Sequence, residues 1–111
     1  MSDCLFCKIG AKEIGTTIVY EDDNVMCFPD INPKAKVHLL VIPKKHIINL
    51  LEATDDDSEA IMHVMQAITK IAKQQNLSGF RAIFNSGESG GQEIFHLHAH
   101  ILADDTRLPG F

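Results

Sequence analysis

EIFHLHAHILA, residues 93–103, is the stretch whose reading decides the fold. Phe95, Leu97, Ala99 and Ile101 alternate there with His96, His98 and His100. A period of two is the signature of a β-strand, because successive side chains point to opposite faces. One face is then apolar, and the other carries three imidazoles separated by roughly 6.6 to 7 Å of strand rise. That spacing lets one substrate or a few hydrogen bonds link them, but it is wide for one ion to take all three. Two chemistries stay open at this point: holding a metal, or acting on an anionic substrate. Imidazole suits the second because it is mostly neutral at pH 7, with a lone pair available for attack.

Working outward, NSGESGGQ (85–92) puts Asn85 at the end of an apolar run and Gly87, Gly90 and Gly91 just before the histidines. Glycines let backbone N–H groups approach an anion closely. A glycine loop leading into aligned imidazoles suggests phosphorus held by main-chain donors and attacked by a ring nitrogen. Four further runs read as strands from their β-branched and aromatic content. They are TTIVYED (16–22), VMCFPD (25–30), KVHLLVIP (36–43) and FRAIFN (80–85). The first two flank a polar turn and read as an antiparallel hairpin.

One long helix lies between the third and fourth strands. Ile61, Val64, Met65, Ile68, Ile71 and Ala72 recur at helical spacing. Thr54 or Asp55 can cap it, Asp55, Asp56 and Asp57 favour its positive end, and Gly79 in NLSG is placed to stop it. DCLFCKIG (3–10) reads as a short helical turn with Asp3 as N-cap. The order strands, helix, strands predicts an α+β fold: a five-stranded antiparallel sheet with one long helix and a short N-terminal helix. Residues 1–111 read as a single domain, with 104–111 as a C-terminal tail.

Composition narrows the function. With 111 residues, 45% of them hydrophobic, the chain can bury a core without extra staples. A net charge of −5 advertises no broad basic face for nucleic acid, while a small anionic ligand needs only local donors. No run approaches the roughly 20 apolar residues of a membrane span, and MSDCLFCKIG lacks the regions of a secretory signal. Three cysteines make a poor disulfide framework and suit a reducing cytoplasm.

HLHAHIL (96–102) resembles the histidine-triad signature, in which three histidines alternate with apolar residues. DCLFCKI, IVYEDD, FPDINPKAKVHLLVIPKKHI and NSGESGGQEIFHLHAHIL look like successive blocks of the Hint-like branch of the histidine-triad (HIT) family, in order from residue 3 to residue 102. The resemblance implies a purine nucleotide hydrolase acting at an α-phosphorus, with purine nucleoside phosphoramidates as substrates and AMP or GMP as product. It makes His98 the nucleophile of a covalent nucleotidyl-histidine intermediate. The His96 carbonyl would hold the His98 Nδ1 proton, His100 would donate to the phosphate or departing group, and His38 would complete the hydrogen-bond chain.

By the same resemblance Asp30 binds the ribose hydroxyls, although on its own residues it reads as a turn-forming aspartate before Asn32-Pro33. Phe6, Ile9, Phe28, Ile31 and Leu40 match the apolar nucleobase pocket, and otherwise read as core. Asn85 and Gly91 match phosphate-side positions, and Glu93 stands where some relatives carry a phosphate-contacting serine.

Cys4-x-x-Cys7 is spaced as two ligands of a structural zinc site, or as two reduced thiols. Some relatives with this pair bind zinc through it and through two histidines that match His46 and His96. Cys27 reads as core and His63 as surface. Relatives of this kind are homodimers whose sheet extends across the interface.

Three departures from the family pattern bear on leaving-group preference. Ile14-Gly15 replaces a usual Ile-Pro, Ala103-Asp104-Asp105 follows the triad where Gly-Gly is common, and the tail DDTRLPGF lacks a tryptophan found in some relatives. A dinucleoside polyphosphate hydrolase is the rival within enzymes. The rival of another class is a nucleotide- or zinc-binding interaction module with incidental catalysis.

Overall fold

The computed structural model describes residues 4–110. Helix α1 (Leu5–Gly10) leads into β1 (Tyr20–Glu21), β2 (Val25–Pro29) and β3 (Val37–Pro43). Helix α2 (Ser58–Gln74) follows, then β4 (Arg81–Phe84) and β5 (Ala99–Ala103). The five strands form one sheet in the order β1-β2-β3-β5-β4, every pair antiparallel. The expected α+β architecture is therefore the one observed.

Both sheet faces are covered, which is why β2 and β3 read as continuous apolar runs rather than alternating ones. One face carries Val25, Cys27, Leu39, Val41, Leu97, Ala99 and Ile101 against Val64, Ala67, Ile68 and Ile71 of α2. The other carries Met26, Phe28, Leu40 and Ile42 against Phe6 and Ile9 of α1. Helix α1 has only six residues and covers only part of its face. The part it leaves open is where the histidines lie.

Several boundaries depart from the sequence reading. TTIVYED pairs only at Tyr20 and Glu21, so most of that β-rich run lies outside the ladder. The histidine strand begins at Ala99, because the last registered pairs are Val41 with Ala99 and Phe84 with Ala99. His96 and His98 thus precede the ladder, yet the alternation of faces persists through them. Phe95 does not follow it and is 47% exposed.

On α2, Met65 is exposed where the spacing predicts core, and Ala67 is buried in its place. The helix stops at Asn76, which takes the left-handed φ of 55° while Leu77 N–H donates to Ala72 O. Gly79 is not the stop, because asparagine tolerates that conformation and arrives first. Thr54 N–H donates to Asp57 Oδ2 at 2.9 Å, closing the N-terminal turn. The N-cap of α1 is Cys4, whose sulfur accepts from Cys7 N–H at 3.3 Å; Asp3 lies outside the described residues. No helix among the described residues is long and apolar enough to cross a membrane.

Candidate active site

The uncovered part of the α1 face is a cavity of about 530 Å³. Its floor is His98, His100, His38 and Leu40 from the central strands, and its apolar wall is Phe6, Ile9, Phe28 and Ile31. Asp30 stands at one side, and Asn85, Gly91 and Glu93 stand at the other. Every sequence-predicted substrate residue therefore reaches one cavity, although Ile31 is 92% exposed and contributes only at the rim. His96 is the exception among the four predicted catalytic residues: it is fully buried, and its ring turns away from the cavity.

The hydrogen bonds fix the tautomers one by one. Lys34 N–H donates to His38 Nδ1 at 3.0 Å, so neutral His38 carries its proton on Nε2. That Nε2 lies 2.9 Å from His100 Nδ1, which must accept, leaving the His100 proton on Nε2. His98 runs the other way. Its Nδ1–H donates to the His96 carbonyl at 2.8 Å, which places its lone pair on Nε2. The pocket floor thus offers one nitrogen lone pair and one N–H donor on rings that meet edge to face, with centroids 5.0 Å apart. Phe6 packs edge-on against His98 at 5.1 Å and holds its ring plane.

Burial, reinforced by the neighbouring His98 and His38 rings, pushes His100 down to about 4, and burial also lowers His38. Both stay neutral at pH 7, as the donor chain requires. The unfolded chain binds their protons near 6.5, so their contribution to stability is complete above that pH and is lost as pH falls toward 4. The expected result is a melting temperature lower at pH 5 than at pH 7. His100→Asn should weaken this dependence, with buried His96, also pushed down to about 4, keeping part of it, and an identical melt at both pH values would contradict the assignment.

Asp30 fills the turn role and also borders the cavity. Its Oδ1 accepts from Asn32 N–H at 2.8 Å, the turn role. Its Oδ2 lies at the cavity side, 3.4 Å from His38 Nε2.

A second constellation lies behind the cavity wall. Cys4 Sγ is 3.3 Å from His96 Nδ1, and Cys7 Sγ is 3.2 Å from His46 Nδ1 and 3.4 Å from His96 Nδ1. The two Nδ1 atoms are 3.1 Å apart, and all four donors lie within 4.8 Å of one another. Tetrahedral zinc with its usual bond lengths needs donor separations of roughly 3.3 to 3.7 Å, so the set is nearly at metal-binding spacing. His96 Nε2–H donates to Pro43 O at 2.8 Å, which turns the Nδ1 lone pair toward the cluster. The two cysteines are not disulfide-linked. The donor set therefore fits a structural metal: two sulfurs and two imidazoles converge. Cys27 is buried core as expected, and His63 is half-buried rather than fully at the surface.

Two buried residues escaped the sequence reading. Gln92 and Asn49 are 3% and 4% exposed and bond to each other, Asn49 Nδ2 to Gln92 Oε1 at 2.9 Å. A glutamine after glycines and an asparagine in INLLE carry no periodic signal.

Fold and site together define a class. A family model described as "Scavenger mRNA decapping enzyme C-term binding" matches residues 3–111. Protein HitA of Neisseria gonorrhoeae is 48% identical over 103 residues, covering 92% of this chain and 96% of that protein. A histidine triad protein from Clostridium difficile superimposes with a TM-score of 0.94 at 48% identity, covering 100% of this chain and 97% of the other. A HIT family hydrolase from Legionella pneumophila Philadelphia 1 gives a TM-score of 0.86 at 47% identity, covering 90% and 91%. The chain belongs to the histidine-triad family.

Proposed function

We propose that this chain is a nucleotide-binding hydrolase that cleaves purine nucleoside 5′-phosphoramidates at the α-phosphorus, releasing AMP or GMP. The observation that carries the reading is the pair of opposed tautomers on the cavity floor, His98 with a basic Nε2 and His100 with an Nε2–H. In the first step the His98 Nε2 lone pair bonds to phosphorus. The P–N bond breaks and its electron pair leaves with the nitrogen, which takes the proton of His100 Nε2; before that transfer the same N–H donates to the phosphate. In the second step water adds its oxygen to phosphorus and returns one proton to His100 Nε2, the His98–phosphorus bond breaks with its electron pair going back to Nε2, and the nucleotide leaves with both histidines restored. The apolar wall of Phe6, Ile9, Phe28, Ile31 and Leu40 takes the base, and Asp30 takes the ribose hydroxyls. Asn85, Gly91 and Glu93 face the phosphate.

A structural zinc held by Cys4, Cys7, His46 and His96 is part of the proposal; when bound it would tie α1 to the sheet. A homodimer is supported by the exposed Met62 and Met65 on α2 and by β4 at the sheet edge. Light scattering at twice the chain mass is the expected result.

Incubation with adenosine 5′-phosphoramidate should release AMP, and Asp30→Ala should raise KM about tenfold or more, because a lost charged hydrogen bond costs about 1.5–3 kcal/mol. An intact protein that releases no AMP would sink the reading. The same nucleophile would also attack a dinucleoside polyphosphate, and the ratio of the two kcat/KM values ranks the leaving groups.

A further inference from the structure

His98 stands outside the sheet that should hold it, since the β3–β5 and β4–β5 ladders both stop at Ala99. Something other than strand pairing must fix residues 92–98. The segment that does so is 46–49, which follows β3 and lies alongside. Leu97 N–H donates to Ile47 O at 2.6 Å. His96 Nε2–H donates to Pro43 O at 2.8 Å, and four further links pass through one side chain, the buried carboxamide of Gln92.

That carboxamide uses its full capacity of two donors and two lone pairs. Oε1 accepts from Asn49 Nδ2 at 2.9 Å and from Gly87 N–H at 2.9 Å. Nε2 donates to Ile48 O at 2.8 Å and to Ile94 O at 3.0 Å. The orientation is unambiguous, because exchanging O and N would face an oxygen against two carbonyls. Asn49 is fixed in turn by Glu52 N–H, which donates to its Oδ1 at 2.8 Å. Gly87 is gripped at both ends. Its carbonyl accepts from Gly90 and Gln92 N–H at 3.1 Å each, and its own N–H goes to Gln92. Gly87 also holds a φ of 81°, so the loop entering the cavity is set by a conformation that favours glycine and by its bonds to Gln92.

We propose that Gln92, locked by Asn49, is a positioning residue that clamps the 87–91 loop and the approach to His98 onto the 46–49 segment. One amide thereby sets both sides of the phosphate position: Asn85 and Gly91 through the loop, and His98 through residues 94–97. Its value to catalysis rests on the hydrolase reading above, while its effect on His98 geometry does not.

The experiment uses two variants of the full chain. Gln92→Glu keeps the acceptor side but sets an oxygen against the Ile48 and Ile94 carbonyls. Asn49→Ala removes one of the four Gln92 bonds together with the Asn49–Glu52 bond, and serves if the first variant folds poorly. Turnover of adenosine 5′-phosphoramidate is measured alongside imidazole ¹⁵N NMR of His98. The expected result is kcat down about tenfold or more with KM little changed, since small misplacements of reacting groups cost rates of this order. The His98 nitrogen shifts should also move away from the Nδ1–H form. A merely structural residue would lower the melting temperature and leave both readouts alone; wild-type kcat and unchanged His98 shifts in both variants would overturn the proposal. If the wild type itself turns over no substrate, the hydrolase reading fails, and the His98 spectra still decide on the clamp.

Discussion

Replacing His98 with alanine is expected to lower kcat for adenosine 5′-phosphoramidate by on the order of 10⁴-fold, because the proposed route has no second nucleophile. Only Nε2 of His98 combines a free lone pair with a place on the cavity floor. His38 and His100 have theirs committed, His38 to the Lys34 amide and His100 to His38. AMP affinity should change little, since the Asp30 side and the apolar wall remain. Removing the ring leaves space beside Phe6, which packs on it at 5.1 Å, so some loss of stability is expected as well. A folded His98→Ala protein that keeps turnover within tenfold of wild type would contradict the mechanism.

Removing the proposed zinc should have the largest effect on stability. Protein purified without chelator is expected to carry about one zinc per chain, and Cys4→Ser to carry none, since tetrahedral structural sites need all four ligands. At a free zinc concentration a thousandfold above Kd, binding contributes about 4 kcal/mol, or roughly 20 °C in a domain of this size. The two sulfurs flank Phe6 on α1, and His96 lies two residues before His98. Chelation should therefore loosen the cavity wall together with the fold. Metal-free wild-type protein whose melting temperature does not change on adding zinc would contradict the site and leave two reduced thiols.

The sequence carried the architecture well where one periodicity dominated. The helical spacing of Val64, Ile68 and Ile71 and the unbroken apolar run of β3 both led to the right element. It carried the histidine alternation too, and all but His96 of the predicted catalytic and substrate residues meet in one cavity, where the register of β3 with β5 sets His38 beside His100. It failed where composition and pairing part company. TTIVYED is strand-like, but only Tyr20 and Glu21 are registered in the ladder. The approach to β5 looks like strand because its faces alternate, yet it is held by side-chain and loop bonds instead of a ladder. Asn76 displaced Gly79 as the helix stop, since either residue accepts a left-handed backbone and position decides. The Gln92–Asn49 pair was invisible because buried amides are defined by partners distant in sequence, 43 residues apart here.

The central claim is that His98 carries the nucleotide covalently. Mass spectrometry after an early quench of the reaction with adenosine 5′-phosphoramidate tests it most directly. The account predicts one adenylyl group on the peptide containing His98, appearing before AMP accumulates and absent from His98→Ala. AMP formed at full rate with no adduct, or an adduct on another residue, would contradict it.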